Sequence, residues 1–289
     1  MNHEKAVKKI KTRAIKNRAM NSLFIGATSF GLIVLAILLF RIIADGIGYI
    51  NWDFLNSFAS RRAEESGIKA AIIGSIWIMC VTAPLAFVLG VGTAVYLEEY
   101  AKKGKFTSFV QMNISNLAGV PSIVFGLLGL TIFVREMALG RSILAGGMTM
   151  ALLILPIIVV ASQEAIRSVP SDLREASFAM GASKWQTTLR IVLPSAMPGI
   201  ITGNILALSR AIGETAPLIV IGALTYVAFL PEGIFSQFTT MPIQIFNWTS
   251  RPQEEFQYVA AAGILVLLIM LISMNTVAVL IRNKFSNRH

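Results

Sequence analysis

Residues Leu206–Gly222 read LALSRAIGETAPLIVIG. Nearly every position is apolar or small, yet Arg210 and Glu214 stand in the middle. The surrounding run, Gly199 to Leu230, is long enough to cross a bilayer, since a hydrocarbon core about 30 Å thick takes roughly 20 helical residues. A spacing of four puts both charges on one helical face, one turn apart. At 1.5 Å per residue, Arg210 lies roughly 16 Å beyond Gly199, about half the depth of the core. A charge there costs about 2.5–3.5 kcal/mol on insertion scales. Two arrangements offset that cost: a structural ion pair that ties a bundle together, or the charged lining of a wet pathway for an anion. Gly199, Gly203, Ala207 and Ala211 form a small-residue stripe that lets another helix approach closely. Pro217 cannot donate to the carbonyl of Gly213, so a kink and a free acceptor are expected beside Glu214. Both features favour the pathway.

The rest of the chain agrees with a membrane setting. Of its 289 residues 55% are hydrophobic and only 14% charged, with a mean hydropathy of +0.70, too apolar for a solvated domain. Six segments are long enough to span, approximately Ser22–Ala44, Ile68–Leu97, Ile114–Val134, Ile143–Ala161, Ala196–Tyr226 and Phe256–Ile281. The expected fold is all-α and polytopic, with about six transmembrane helices. The first apolar run is too long for a signal peptide and lacks a small-x-small cleavage site. Lys and Arg fall unevenly about the spans. Seventeen lie in the N-terminal segment, the second and fourth loops and the tail, against seven on the other face. Both termini are therefore expected in the cytoplasm. The net charge of +10 is largely this topology signal. The basic N-terminus could also touch anionic membrane lipid, and no separate basic domain exists to read nucleic acid.

Several chemistries are disfavoured. Cys80 is the only cysteine, and His3 and His289 are the only histidines. A thiolate metal cluster, an internal disulfide and a histidine base are thereby excluded from the body of the chain. GKFT at Gly104–Thr107 lacks the first glycine and the hydroxyl after lysine of a phosphate-binding loop. No catalytic residue, metal or cofactor is expected, and energy for active transport must come from a gradient or a partner. In QMNISNLAGVPSIVFGLLG (Gln111–Gly129) four polar residues precede Gly119 and Pro121. This reads either as an interfacial helix followed by an ordinary span, or as a discontinuous helix facing the pathway, with Pro121 in the first turn of its second half.

Between spans four and five lies SVPSDLREASFAMGASKWQTTLRIVLPSAMPG (Ser168–Gly199), which reads as two capped helices. Asp172 with Glu175 suits a capping box, and Gly181 suits a left-handed residue closing the first helix. Ser183 with Gln186 suits a second box, and Pro194 is expected to end the second helix. The spacing of Glu175, Ala176, Gly181, Ile191, Leu193 and Pro194 resembles the EAA loop of ATP-binding-cassette importer permeases, with Ser177 in place of the usual second alanine. In that family the loop docks on the ATPase subunit, so the resemblance assigns Glu175, Ala176, Gly181, Leu193 and Pro194 to ATPase coupling.

YLEEYA (Tyr96–Ala101), GVPSIVFGLLG (Gly119–Gly129), SRAIGETAPL (Ser209–Leu218) and PIQIFNWTSRPQEEF (Pro242–Phe256) together resemble the phosphate-specific importer permeases. The Thr-Ala-Pro after Gly213–Glu214 is closer to the PstA type than to its PstC-type partner. The resemblance implies a multi-pass subunit of the bacterial cytoplasmic (inner) membrane that is not itself an enzyme. Its expected partners are a PstC-type permease, an ATPase dimer, an external phosphate-binding protein and phosphate. It divides the chain into a basic tail (1–21), a permease domain (22–281) with its coupling loop at about 162–195, and a second tail (282–289). Arg210, Glu214 and Thr215 are the expected pathway residues. Arg210 would attract the anion with its donor fork. Ionised Glu214 would accept the P–OH hydrogen bond that phosphate keeps and sulfate lacks. A permease for molybdate or sulfate, and a gradient-driven carrier acting alone, stand as alternatives, the second being disfavoured by an ATPase-docking loop.

Overall fold

The computed structural model describes residues 3–223 and 226–286; Leu224 and Thr225 of the fifth predicted span, and Arg288 and His289 of the tail, lie outside them. Helix is the only regular secondary structure among the described residues. Helix α1 is continuous over His3–Gly46, and a short 3-10 turn (Ile47–Tyr49) and α2 (Trp52–Asn56) follow. Helix α3 (Lys69–Val95) ends in a π-helical turn at Tyr96–Tyr100. Helices α4 (Lys105–Leu117) and α5 (Ser122–Gly129) come next, the latter extended by a π-helical stretch over Leu130–Glu136. Then come α6 (Ile143–Arg167), α7 (Ser171–Ala179) and α8 (Lys184–Thr187). A third π turn, Thr188–Val192, joins α8 to α9 (Leu193–Gly213), and α10 (Ala216–Ile221), α11 (Met241–Thr249) and α12 (Glu255–Ser286) follow.

Among the described residues five helices are long and apolar enough to cross a membrane, and α4 with α5 makes a sixth candidate bent by 104°. Six candidate spans were expected from the sequence. The third is the discontinuous version, because Ala118–Pro121 interrupts it. Pro121 precedes the second half as its extended N-cap residue and does not occupy its first turn.

Helix α6 is the centre of the bundle. Ile143, Met150, Ile154, Ile158 and Ile166 are each at most 1% exposed. Small residues set the approach of its neighbours. Gly90 of α3 meets Ile158, and Gly147 of α6 meets Val81, so α3 and α6 run parallel. Gly199 and Gly203 of α9 meet Ala165 and Ala161 in the opposite sense, so α9 returns along α6. A Cβ at Gly199 would sit 2.8 Å from that of Ala165. The predicted small-residue stripe is thus the α9–α6 seam, with Ala207 and Ala211 buried in it. Helices α1 and α12 are peripheral, and both carry exposed Ile, Leu and Val side chains. That surface suits hydrocarbon. They meet where Gly46 abuts Ala261 and Ala262 and Tyr49 stacks on Tyr258.

Candidate functional site

Two ends of the bundle differ in chemistry. At one, α3 closes in the Tyr96–Tyr100 turn, which places Glu98 and Glu99 against the end of α6. Glu98 receives a bidentate bond from Arg167 (Nε 2.9 Å, Nη2 2.7 Å) and a 2.7 Å bond from Gln163. Glu99 pairs with Arg174 of α7 at 3.1 Å, and the two side chains are only 11% and 22% exposed. Arg174 also donates to the carbonyl of Ile166 in the last turn of α6 (2.9 Å) and to that of Val169 just beyond it (2.6 Å). One side chain therefore fastens α7 to both α6 and α3. Lys184 of α8 lies 5.4 Å over the Tyr100 ring.

The rest of the loop forms a helix pair on that anchor. Gly181 has φ +82° just beyond α7, the left-handed residue the sequence required. Ser183 and Gln186 form the expected reciprocal box, Ser183 N–H donating to Gln186 at 2.8 Å. Ser177 and Thr187 share a 2.9 Å hydrogen bond that joins the two helices. Two expectations fail. Asp172 does not cap α7. The helix begins earlier, at Ser171, behind the cap Pro170, which has no N–H for a side chain to reach. Nor does Pro194 end the second helix, which continues from α8 to Gly213. The missing N–H of Pro194 is tolerated because the Thr188–Val192 π turn shifts the hydrogen-bond ladder just ahead of it. Glu175, Ala176 and Gly181 are exposed on this knob, Leu193 and Pro194 half-buried at its base. Leu173, Phe178, Met180 and Trp185 add an exposed apolar face, Met180 being 88% exposed.

The second locus lies inside the bundle. The Gly199–Ala165 and Gly203–Ala161 contacts fix the register of α9 on α6. Continuing that antiparallel register places Arg210 roughly level with Ile154, near the middle of α6. Helix α9 stops at Gly213, and Glu214 is extended (φ −75°, ψ 132°). The sequence led us to expect a kink with both charges on one continuous helix. The chain instead breaks, because Pro217, in the first turn of α10 (Ala216–Ile221), cannot donate back to Gly213. The pair survives the break, with Arg210 Nε 3.3 Å from Glu214 Oε1. Arg210 is half-exposed and Glu214 18% exposed, with Thr215 half-buried beside it.

The broken third span meets this break. A Cβ on Gly126 of α5 would lie 2.7 Å from Pro217 Cα and 2.9 Å from its carbonyl oxygen, so α5 and α10 touch backbone to backbone. Gly129 rests on Thr149 of α6. Helix α5 therefore starts about 10 Å deeper than Thr149, close to the level of Arg210. Two interrupted spans thus adjoin at mid-depth, where irregular backbone is tolerated only against protein or water. Sequence reasoning singled out Arg210, Glu214, Gly181 and the Ser183–Gln186 box. It missed Glu98, Glu99, Gln163, Arg167 and Arg174 as one network. The double glutamate in YLEEYA was visible, but the pairing spans 65 to 75 residues of chain.

A bundle of apolar spans, two of them interrupted around a charge pair, with a capped helical knob at one end, defines a polytopic membrane permease. The chain belongs to the family of binding-protein-dependent transport system inner membrane components, whose pattern matches residues 86–287. It is 34% identical over 249 residues to the probable ABC transporter permease protein YqgI of Bacillus subtilis, covering 82% of this chain and 85% of that one. It is 34% identical over 275 residues to the phosphate transport system permease protein PstA 1 of Mycobacterium tuberculosis, covering 93% and 90%. Similar solved folds include a bacterial ABC transporter involved in the import of the acidic polysaccharide alginate, with TM-score 0.67, 15% identity and coverage of 97% and 99%. The MetNI methionine ABC transporter, inward facing, superposes with TM-score 0.63 at 18% identity, covering 74% and 94%.

Proposed function

We propose that this chain is the membrane-spanning subunit of an ATP-driven phosphate importer, forming half of its translocation pathway. The observation that carries this reading is the Arg210–Glu214 pair at the α9–α10 break, mid-depth in the bundle and against the interrupted α5. A helix broken at a charge pair gives an anion a cation to visit, while the carboxylate keeps affinity low enough for release. Relatives named as PstA phosphate permeases, 30–35% identical over most of the chain, support phosphate as the anion.

Within this reading the other pathway half is a PstC-type permease, and an external phosphate-binding protein delivers the substrate. The α7–α8 knob, with Glu175, Ala176 and Gly181 exposed and Leu193 and Pro194 at its base, docks on a separate ATPase dimer. Its end of the bundle is cytoplasmic. Helices α1 and α12 meet at the opposite end and lead the two termini toward the knob, in keeping with cytoplasmic termini and the Lys and Arg asymmetry. The test is uptake of labelled phosphate by cells lacking other phosphate systems, with and without this chain, before and after ATP depletion. Restored, ATP-dependent uptake is expected. Uptake indifferent to ATP would make the chain a gradient-driven carrier, and no uptake would remove phosphate as its substrate.

A further inference from the structure

The end of the bundle opposite the α7–α8 knob has one cleft whose lining is locally rich in guanidinium groups. The loop between α2 and α3 folds on itself: Gly67 N–H donates to Phe58 O at 2.8 Å, and Ser66 Oγ accepts from Ser60 N–H at 3.2 Å. Gly67 is required there, because a side chain would collide with the Ser57 backbone. This closed loop presents Arg61 and Arg62 to a cleft of about 640 Å³, shared with Glu65, Tyr226, Asn247 and Arg251. Arg251 is braced: its guanidinium lies 4.2 Å over the Phe256 ring and donates to Ser60 O and Asn247 Oδ1, each at 3.3 Å. Glu65 answers only Arg62, at 3.1 Å. Arg61 makes no ion pair among the described residues. Three guanidiniums thus face one carboxylate.

One residue of the cleft follows the mid-depth pair along the chain. Helix α10 runs outward from the Glu214 break, and Gly222 at its end packs against Arg141, which precedes α6. Tyr226, a few residues further along the same interrupted span, lines the cleft. We propose that the Arg61–Arg62–Arg251 cleft is a binding station for a small inorganic oxyanion at the outer mouth of the pathway, from which the anion passes along α10 to Arg210. This rests on the phosphate reading above for the identity of the anion, not for its charge class. A braced guanidinium beside two exposed ones holds a small anion on several donors at once. A concave basic site also raises the local anion concentration.

The experiment measures binding of inorganic phosphate, and separately sulfate, to the purified permease–ATPase assembly without its external binding protein, at low and high salt. An Arg210→Gln background removes the inner cation. We expect this background to retain salt-sensitive phosphate binding, and Arg61→Gln with Arg62→Gln to weaken it by about tenfold or more. Arg61→Lys with Arg62→Lys, which keeps the charge, is expected to retain most of it and reports that the loop is folded. Phosphate and sulfate binding both unchanged by the Gln pair would overturn the proposal. So would unchanged anion binding with lost retention of the external protein, which would make the cleft a protein-docking surface. Sulfate binding that depends on Arg61 and Arg62, in a protein that neither binds nor imports phosphate, would uphold the cleft and overturn the substrate reading instead.

Discussion

Glu99→Gln tests whether the knob acts on the bundle through Arg174. The wild-type pair is 3.1 Å apart and mostly withdrawn from water. A charge-assisted bond of this kind contributes about 1.5–3 kcal/mol, above the ~0.2–1 kcal/mol of an exposed pair and below the ~3–5 kcal/mol of a fully buried one. Arg174 keeps its bonds to Ile166 and Val169 in the variant, so α7 should still form. What weakens is its tie to α3. A loss of about 2 kcal/mol shifts the attached-to-detached equilibrium roughly 30-fold. Hydrogen exchange in α7 should therefore accelerate by up to that factor, with exchange in α6 unchanged. In the reconstituted importer, phosphate moved per ATP hydrolysed should fall about tenfold or more, while ATP hydrolysis persists, because the knob can still dock but no longer pulls on α3. Unchanged exchange and an unchanged phosphate-to-ATP ratio would refute this reasoning. A proportional loss of both activities at normal expression would reduce the pair to a general stabiliser.

Glu214→Gln should preserve assembly and the Arg210 cation but lower discrimination between phosphate and sulfate in competitive uptake; unaltered selectivity would remove Glu214 as a reader of the P–OH proton. Gly181→Pro cannot adopt the φ of +82° found there, so the knob should distort and ATP hydrolysis should uncouple from transport while the protein still inserts; normal transport by a well-expressed variant would count against the knob's role. Gly126→Ala places a methyl 2.7 Å from Pro217 Cα, a backbone atom that cannot rotate away. It should cost about 1–3 kcal/mol as α5 and α10 separate. Thermal unfolding and uptake measured together would register it, and wild-type values in both would show that the contact is not maintained.

Much of this protein was determined by its sequence alone. Hydrocarbon leaves backbone no partner but itself, so long apolar runs must be helices, and their number follows from length and composition. Local geometry was equally legible where one residue type satisfies it: Gly181 for a left-handed φ, Ser183 with Gln186 for a reciprocal cap, and the Gly199–Ala211 stripe for a close seam. Tertiary structure decided whatever depends on groups distant in the chain. Arg174 ties α7 to Ile166 of α6 and to Glu99 beyond α3, partners that no local capping rule can see. Pro194 is carried through a helix, whereas Pro217 accompanies a break. The first follows a π turn that absorbs the missing bond, while the second packs against the bare backbone of Gly126. The charges at Arg210 and Glu214 were plain in the sequence; their depth and their place beside a second interrupted span came from the register of α9 on α6, which contact between separate helices sets.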